Sequence, residues 1–264
     1  MSFDILLPDW REVPSNVRAM STLRSGGCST GVYGDMHGTS GLNLGDHVSD
    51  DIAAVMANRT KLNASLPNDV IFLSQVHGNI VAQVETLVPG IYADAVVSST
   101  PGLVCAVLTA DCLPVLFSDA TGCVVAAAHA GWRGLASGVL QSTVHEMRLR
   151  GAGEISAWLG PAIGPKKFEV GQDVYDVFTG QDKDAINSFA KIASNDIVGA
   201  ERKYLADIYQ LARNVLNSAG VNDISGGDYC TVTDKQKFYS YRRDGVTGRM
   251  ASLIWIAPDD VLKG

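Results

Sequence analysis

Residues 102–134 read GLVCAVLTADCLPVLFSDATGCVVAAAHAGWRG. The runs GLVCAVLT (102–109), PVLFSD (114–119) and GCVVAAAH (122–129) are short, apolar and punctuated by Gly, Pro and Asp. Runs of that length bounded by such residues are the signature of buried strands rather than helices. The chain then passes through Gly131 into GWRGLASGVLQSTVHEMRLR (131–150), which reads as one amphipathic helix starting on glycines. The polar residues Asp111, Cys112 and His129 fall where strands stop.

The same grammar extends outward. VIFLSQV (70–76), NIVAQVE (79–85), ADAVVSS (93–99), EISAWLG (154–160) and SLIWIA (252–257) read as further strands. A helix is expected from Ser49 to Leu66, with Ile52, Val55, Met56, Arg59 and Leu62 at helical spacing. YLADIYQLARNVLNSAG (204–220) reads as a second helix, with Gly220 in the position that ends helices. Strands and helices mix without strict β–α–β alternation, which predicts an α+β domain with mixed sheets. No linker divides the chain, so residues 1–264 are expected to form one catalytic domain. Residues 25–47 are Gly-rich and too long for a simple turn, and such segments are usually functional or mobile.

Bulk properties narrow the function. Of 264 residues, 46% are apolar and 19% charged, an ordinary globular balance that rules out disorder. The net charge is −7 and no Lys/Arg run occurs, which excludes nucleic-acid binding as the main activity. The first residues carry Asp4 and Asp9 and no long apolar run, so no signal peptide is expected. No stretch reaches the roughly 18–20 apolar residues of a membrane span. Five cysteines, an odd number without a CxxC pair, point to a reducing compartment, and a cytoplasmic enzyme is expected.

His77, Cys112 and His129 each end an apolar run and precede a small or rigid residue, a place from which side chains project into a cleft at a sheet edge. Two imidazoles and a thiolate make a sound zinc set, leaving a fourth position open. The same residues also suit a cysteine nucleophile with an imidazole base, and each taken alone is as compatible with plain burial. The separations of 35 and 17 residues are not a metal motif by themselves.

Several ordered segments go further: TLRSGGCSTGVYG (22–34), LNLGDHVSDD (42–51), SQVHG (74–78), TADCLPV (109–115), AAHAGWRG (127–134), WLGPAIGPKKFEVG (158–171) and FYSYRRDGVTGRMASLIW (238–255). Together they resemble the laccase-domain or polyphenol oxidoreductase family, also described as multi-activity purine nucleoside phosphorylases, over roughly residues 20–257. The resemblance implies a single-domain α/β/β/α layered fold, with metal ligands at His77, Cys112 and His129. It further implies zinc-dependent phosphorolysis of adenosine, inosine and S-methyl-5'-thioadenosine, with adenosine deamination. Two alternatives come with it: a peptidoglycan-editing hydrolase acting on UDP-N-acetylmuramoyl precursors, and a copper polyphenol oxidase. Copper binding at an N/S site is expected from general affinity, but five histidines are few for separate copper centres.

A nucleoside and phosphate as ligands require donors. Arg59, with Asn43 nearby, is the first choice for phosphate, because a guanidinium forks onto phosphate oxygens. Arg242, Arg243 and Arg249, and the amides of Gly131, Trp132 and Arg133 at a helix start, are the others. Asp111 and Glu169 are the carboxylates expected near the metal, as proton carriers or as partners that fix an imidazole tautomer. Asp111 could equally cap the turn before Pro114. Trp132 either stacks on a purine or packs. His37 and His47 could approach the site as a lid, and His145 should be solvated. A monomer or homodimer is expected, without nucleic-acid or membrane partners.

Overall fold

The run Val104–Thr109 sets the layering. Its side chains alternate between two buried environments: Val104, Ala106 and Leu108 pack with Leu42, Leu62 and Leu253, while Cys105 and Val107 pack with Leu116, Val125 and Trp158. A strand buried on both faces must lie between two layers, which is why it reads as unbroken apolar sequence. In the computed structural model, which describes residues 3–11, 13–192 and 202–258, the elements run in chain order as follows. The first half comprises β1 (Ile5–Leu6), β2 (Val17–Thr22), β3 (Ser25–Ser29), α1 (Ile52–Asn63), β4 (Val81–Gln83), β5 (Ala95–Ser98), β6 (Val104–Thr109), β7 (Leu113–Asp119) and β8 (Val125–Ala130). Next come α2 (Trp132–Ala136), α3 (Val139–Leu149), β9 (Ile155–Leu159), β10 (Glu169–Gly171), α4 (Gln172–Gln181) and β11 (Phe189–Lys191). The chain closes with β12 (Lys203–Ala206), α5 (Ile208–Ser218), β13 (Asp223–Gly226), α6 (Tyr241–Asp244) and β14 (Met250–Ile256).

A four-stranded antiparallel sheet, β1-β2-β14-β6, stacks on a six-stranded mixed sheet, β13-β9-β7-β8-β5-β4. Within the larger sheet, β13–β9 and β4–β5 are parallel and the other pairings antiparallel. Helix α1 covers the outer face of the small sheet through Leu62, and α3 and α5 cover the large one through Val144, Met147, Leu211 and Leu216. The result is the expected α+β, α/β/β/α layering. A third, small sheet, β10-β12-β11, flanks α4. The extreme ends of the expected 1–264 domain lie outside the described residues.

Four local expectations need correction. The helix expected over 131–150 is broken into α2 and α3, because Gly138 takes φ +93°, a conformation no helix continues. The helix expected over 204–220 begins only at Ile208. Asp207 accepts from the N–H groups of Tyr209 and Gln210 as its cap, and residues 203–206 form β12 instead. VIFLSQV is not a strand beyond one bridge at Ser74. There the Gln75 side chain stands in for a ladder, donating to the Leu108 carbonyl (2.8 Å) and accepting from its N–H (2.7 Å). Finally, the Gly-rich segment is packed rather than loose. Leu42 and Leu44 are fully buried, and Asn58 of α1 donates to the carbonyls of Gly41 and Asn43 and accepts from the Cys28 N–H. All five cysteines are free, so no disulfide framework is present. Among the described residues no helix is long and apolar enough to cross a membrane.

Candidate metal centre and its cleft

Strand β8 delivers His129 on the face it shares with Val125 and Ala127, toward the seam between the sheets, at the end where β8 gives way to α2. Cys112 precedes β7, and in the β7–β8 ladder Leu113 pairs with Ala130, so Cys112 lies beside the end of β8. His77 arrives from the segment before β4. The ligand atoms of the three residues lie within 4.8 Å of one another. His77 Nε2 stands 3.8 Å from Cys112 Sγ, and the two imidazole rings meet edge to face at 4.8 Å.

One buried carboxylate builds this arrangement, and it was missed in the sequence. Asp94, fully buried, accepts from the His77 N–H (2.8 Å), the Gly78 N–H (2.7 Å) and the Val76 N–H (3.2 Å), and also from His129 Nδ1 (2.8 Å). Its carbonyl takes the His129 N–H (2.7 Å). Because a carboxylate accepts, Nδ1 of His129 carries the proton and Nε2 is left for a metal. The clamp also explains the backbone of His77, held at φ +60°, which a β-carbon ordinarily resists. Burial works against the Asp94 charge, but His129 and the Gly78 and His77 amides hold its pKa below the ordinary carboxylate value.

Electrostatics within the cluster follow from the same contacts. Burial raises the Cys112 thiol, yet His129 and His77 more than offset it and bring it down to about 6. Burial lowers His129, yet the Cys112 sulfur and the Asp94 carboxylate raise it to about 9. The sulfur is therefore ready as a thiolate at neutral pH, the form that binds metals. Gly131 completes the fit: a β-carbon there would lie 2.9 Å from both Cys112 Sγ and His77 Cδ2.

The cluster sits on the ridge between two adjoining cavities. One, of about 370 Å³, is lined by His47, Gln75, Thr109, Tyr241 and Arg249. The other, of about 330 Å³, is lined by Trp132, Arg133, Ile163, Phe168, Ile208 and Arg242. His77, Cys112 and Tyr241 border both. The first lobe holds His47 and Arg249; the second sets the aromatic faces of Trp132 and Phe168 beside the guanidinium groups of Arg133 and Arg242.

The other expected site residues divide. Trp132, Arg133 and Arg249 line the cleft as expected; Arg133 lies over the Trp132 ring at 4.6 Å, and Arg249 also donates to the Thr247 and Gly248 carbonyls. Arg59 does not line it. Its guanidinium pairs with Asp46 (3.1 Å), donates to the Leu44 carbonyl and lies over Phe72. Asn43 is fully buried, and its amide is spent on Gly45, Asp50 and the Arg249 N–H. Asp111 does not orient an imidazole. At φ +96°, it accepts from Thr231 Oγ1 and the Arg242 N–H and ties α6 to the Cys112 turn. Glu169 is exposed in β10, paired with Lys203 at 2.8 Å, and lines neither lobe. Arg243 is engaged with Asp244 and the carbonyls of Thr231 and Phe238. The five-residue α2 is too short to gather an anion by its dipole. His47 reaches the cleft; His37 and His145 are exposed outside both lobes.

A layered fold that opens a cleft over two imidazoles and a thiolate is the architecture of an enzyme able to hold a metal ion. The chain belongs to the family described as multi-copper polyphenol oxidoreductase laccase, whose model matches residues 18–257. It is 49% identical over 256 residues to purine nucleoside phosphorylase YfiH of Escherichia coli, covering 96% of this chain and 98% of that one. It is 47% identical over 250 residues to the purine nucleoside phosphorylase of Haemophilus influenzae, covering 94% and 97%. The crystal structure of a Neisseria meningitidis protein superposes with a TM-score of 0.85 at 47% identity, covering 96% of this chain and 99% of that one.

Proposed function

We propose that the protein is a zinc-dependent purine nucleoside phosphorylase acting on adenosine, inosine and S-methyl-5'-thioadenosine, with adenosine deaminase activity. The observation that carries this reading is the division of the cleft at the His77–Cys112–His129 ridge. Phosphorolysis brings together a flat apolar base and a small dianion, and the aromatic faces of Trp132 and Phe168 lie in one lobe while Arg249 lies in the other. Trp132 and Phe168 offer apolar faces for a purine. Arg249 offers a guanidinium for phosphate. The ribose then spans the ridge, with its anomeric carbon between the two lobes.

The donor set fits a metal: two neutral imidazole nitrogens and a thiolate, with Asp94 behind His129. A zinc ion bound there supplies an open Lewis-acidic position that can hold an oxygen ligand. The protein groups do the positioning. Tyr241 borders both lobes, beside the ridge that the ribose would span. Copper suits the same donors, but His37 and His145 stand apart, so imidazoles for a second copper centre are lacking around the cleft.

Incubation of the purified protein with adenosine, inosine and methylthioadenosine, with and without phosphate, tests the reading. Free base should form only with phosphate. Base released equally without phosphate, or no base at all, would overturn it; inosine formed from adenosine tests the deaminase.

A further inference from the structure

The phosphorylase reading leaves one proton without a carrier. Phosphate enters as HPO₄²⁻ and ends as a sugar phosphate dianion, whose second pKa is only about 6, while the purine leaves with a proton it did not bring. His47 is the imidazole that this lobe adds to the three candidate ligands. It shares the 370 Å³ lobe with Arg249, and its Nδ1 lies 3.6 Å from Asp46 Oδ1. The other oxygen of Asp46 is held at 3.1 Å by Arg59, itself fixed to the Leu44 carbonyl and the Phe72 ring. Nε2 of His47 has no hydrogen-bond partner among the described residues. At 3.6 Å the Asp46 carboxylate is an ionic neighbour of Nδ1 rather than its hydrogen-bond acceptor, and it leaves the second nitrogen open to act as a general base.

We propose that His47, oriented by Asp46 and Arg59, is the catalytic base that takes the proton of the attacking phosphate. One phosphate oxygen forms the bond to the anomeric carbon. The bond from that carbon to the purine nitrogen breaks, and its electron pair leaves on the purine. The P–OH proton passes to Nε2 of His47, and is then returned through solvent in the open cleft to the purine nitrogen. Nucleoside and HPO₄²⁻ thus give sugar phosphate dianion and neutral purine, with nothing left over. The charged groups facing His47 are Asp46 on its own loop, Arg59 on α1 and Arg249 before β14. Partial burial and Arg249 keep its pKa below the ordinary imidazole value, so the ring starts neutral, and Asp46 steadies the imidazolium that forms. Asp46 and Arg59 are positioning residues, which gives the Arg59 of the LNLGDH…NR motif a task although it does not reach the cleft.

The inference rests on the phosphorylase reading, and the test separates the two. In the full-length, metal-loaded protein, His47→Asn should lower kcat/KM for phosphate by about 100-fold or more and reduce the acidic limb of its pH profile to the part set by protonation of phosphate itself, with metal content unchanged. Asp46→Asn should keep more activity and move that limb to lower pH. Independently of turnover, inorganic phosphate added to the wild-type protein should raise the pKa of the His47 ring, followed by proton NMR and assigned by its loss in His47→Asn. If the wild type releases base but His47→Asn matches it in rate and pH profile, or phosphate leaves the ring's titration unmoved, the assignment of His47 is overturned alone. If the wild type releases no base from any of the nucleosides, the phosphorylase reading falls and takes this one with it.

Discussion

The strand-end cluster and the Gly-rich segment face each other across one cleft, yet they are held by different physics. At the cluster, sheet register places Cys112 and His129, and a single buried charge, Asp94, sets both His77 and His129. In the segment around residues 25–51 no long ladder exists. Two buried amides, Asn43 and Asn58, cross-link the turns, with Asp50 accepting from Ser29 and Asn43. The first region concentrates its dependence in one residue, and the second spreads it over many hydrogen bonds, Asp50 and two neutral amides among them. The candidate metal ligands are thus held by charge and sheet, and the opposite wall of the cleft by buried amides.

The largest effect should come from breaking the charged clamp. Asp94→Asn puts an amide NH₂ in place of one oxygen and so against two of its four donors, and should cost about 3 kcal/mol or more in urea unfolding and weaken metal binding about 10–100-fold in chelator competition. A loss confined to stability would show that the carboxylate serves the fold alone. Next, Gly131→Ala forces a β-carbon against Cys112 and His77. It should cost about 1–3 kcal/mol, appearing mainly as lost metal affinity with a smaller shift in the unfolding midpoint than Asp94→Asn gives.

On the other side of the comparison, Asn58→Ala removes bonds from the Gly-rich segment. It should destabilise by about 2 kcal/mol and raise KM for phosphate, while metal stoichiometry stays that of the wild type. Metal loss in this variant would erase the distinction between the regions. The smallest effect concerns protons. Near pH 7 Cys112 is already a thiolate and His129 still carries its extra proton. Zinc binding should then release about one proton, measurable as a dependence of calorimetric heat on buffer ionisation. Release should grow as pH falls through 6, because the thiol must also be deprotonated, and metal affinity should fall with it.

The same contrast explains what could be read in advance. β6, β7 and β8 were legible because both faces are buried, and a run such as VVAAAH then admits little but strand. The ligands were legible as polar residues at strand ends, but only the ordered family segments joined residues 35 and 17 positions apart. Asp94 escaped because, in ADAVV, an aspartate before an apolar run looks like a turn residue; what marks it is that a charge sits among side chains that all become buried. Asn43 and Arg59 were placed in the right neighbourhood and given the wrong task, since spacing within a motif does not say which side of a loop faces the cleft. Glu169 was misplaced because the small sheet β10-β12-β11 had no clear signal in its short, polar strands, and that sheet pairs it with Lys203.

Asp94 joins the amides of Val76, His77 and Gly78 to the ring of His129 through two oxygens. None of those four donors can let go without disturbing the other three. Hydrogen exchange at residues 76–78 should therefore slow in unison as metal is added, a backbone gauge of occupancy at a site whose ligands are themselves side chains.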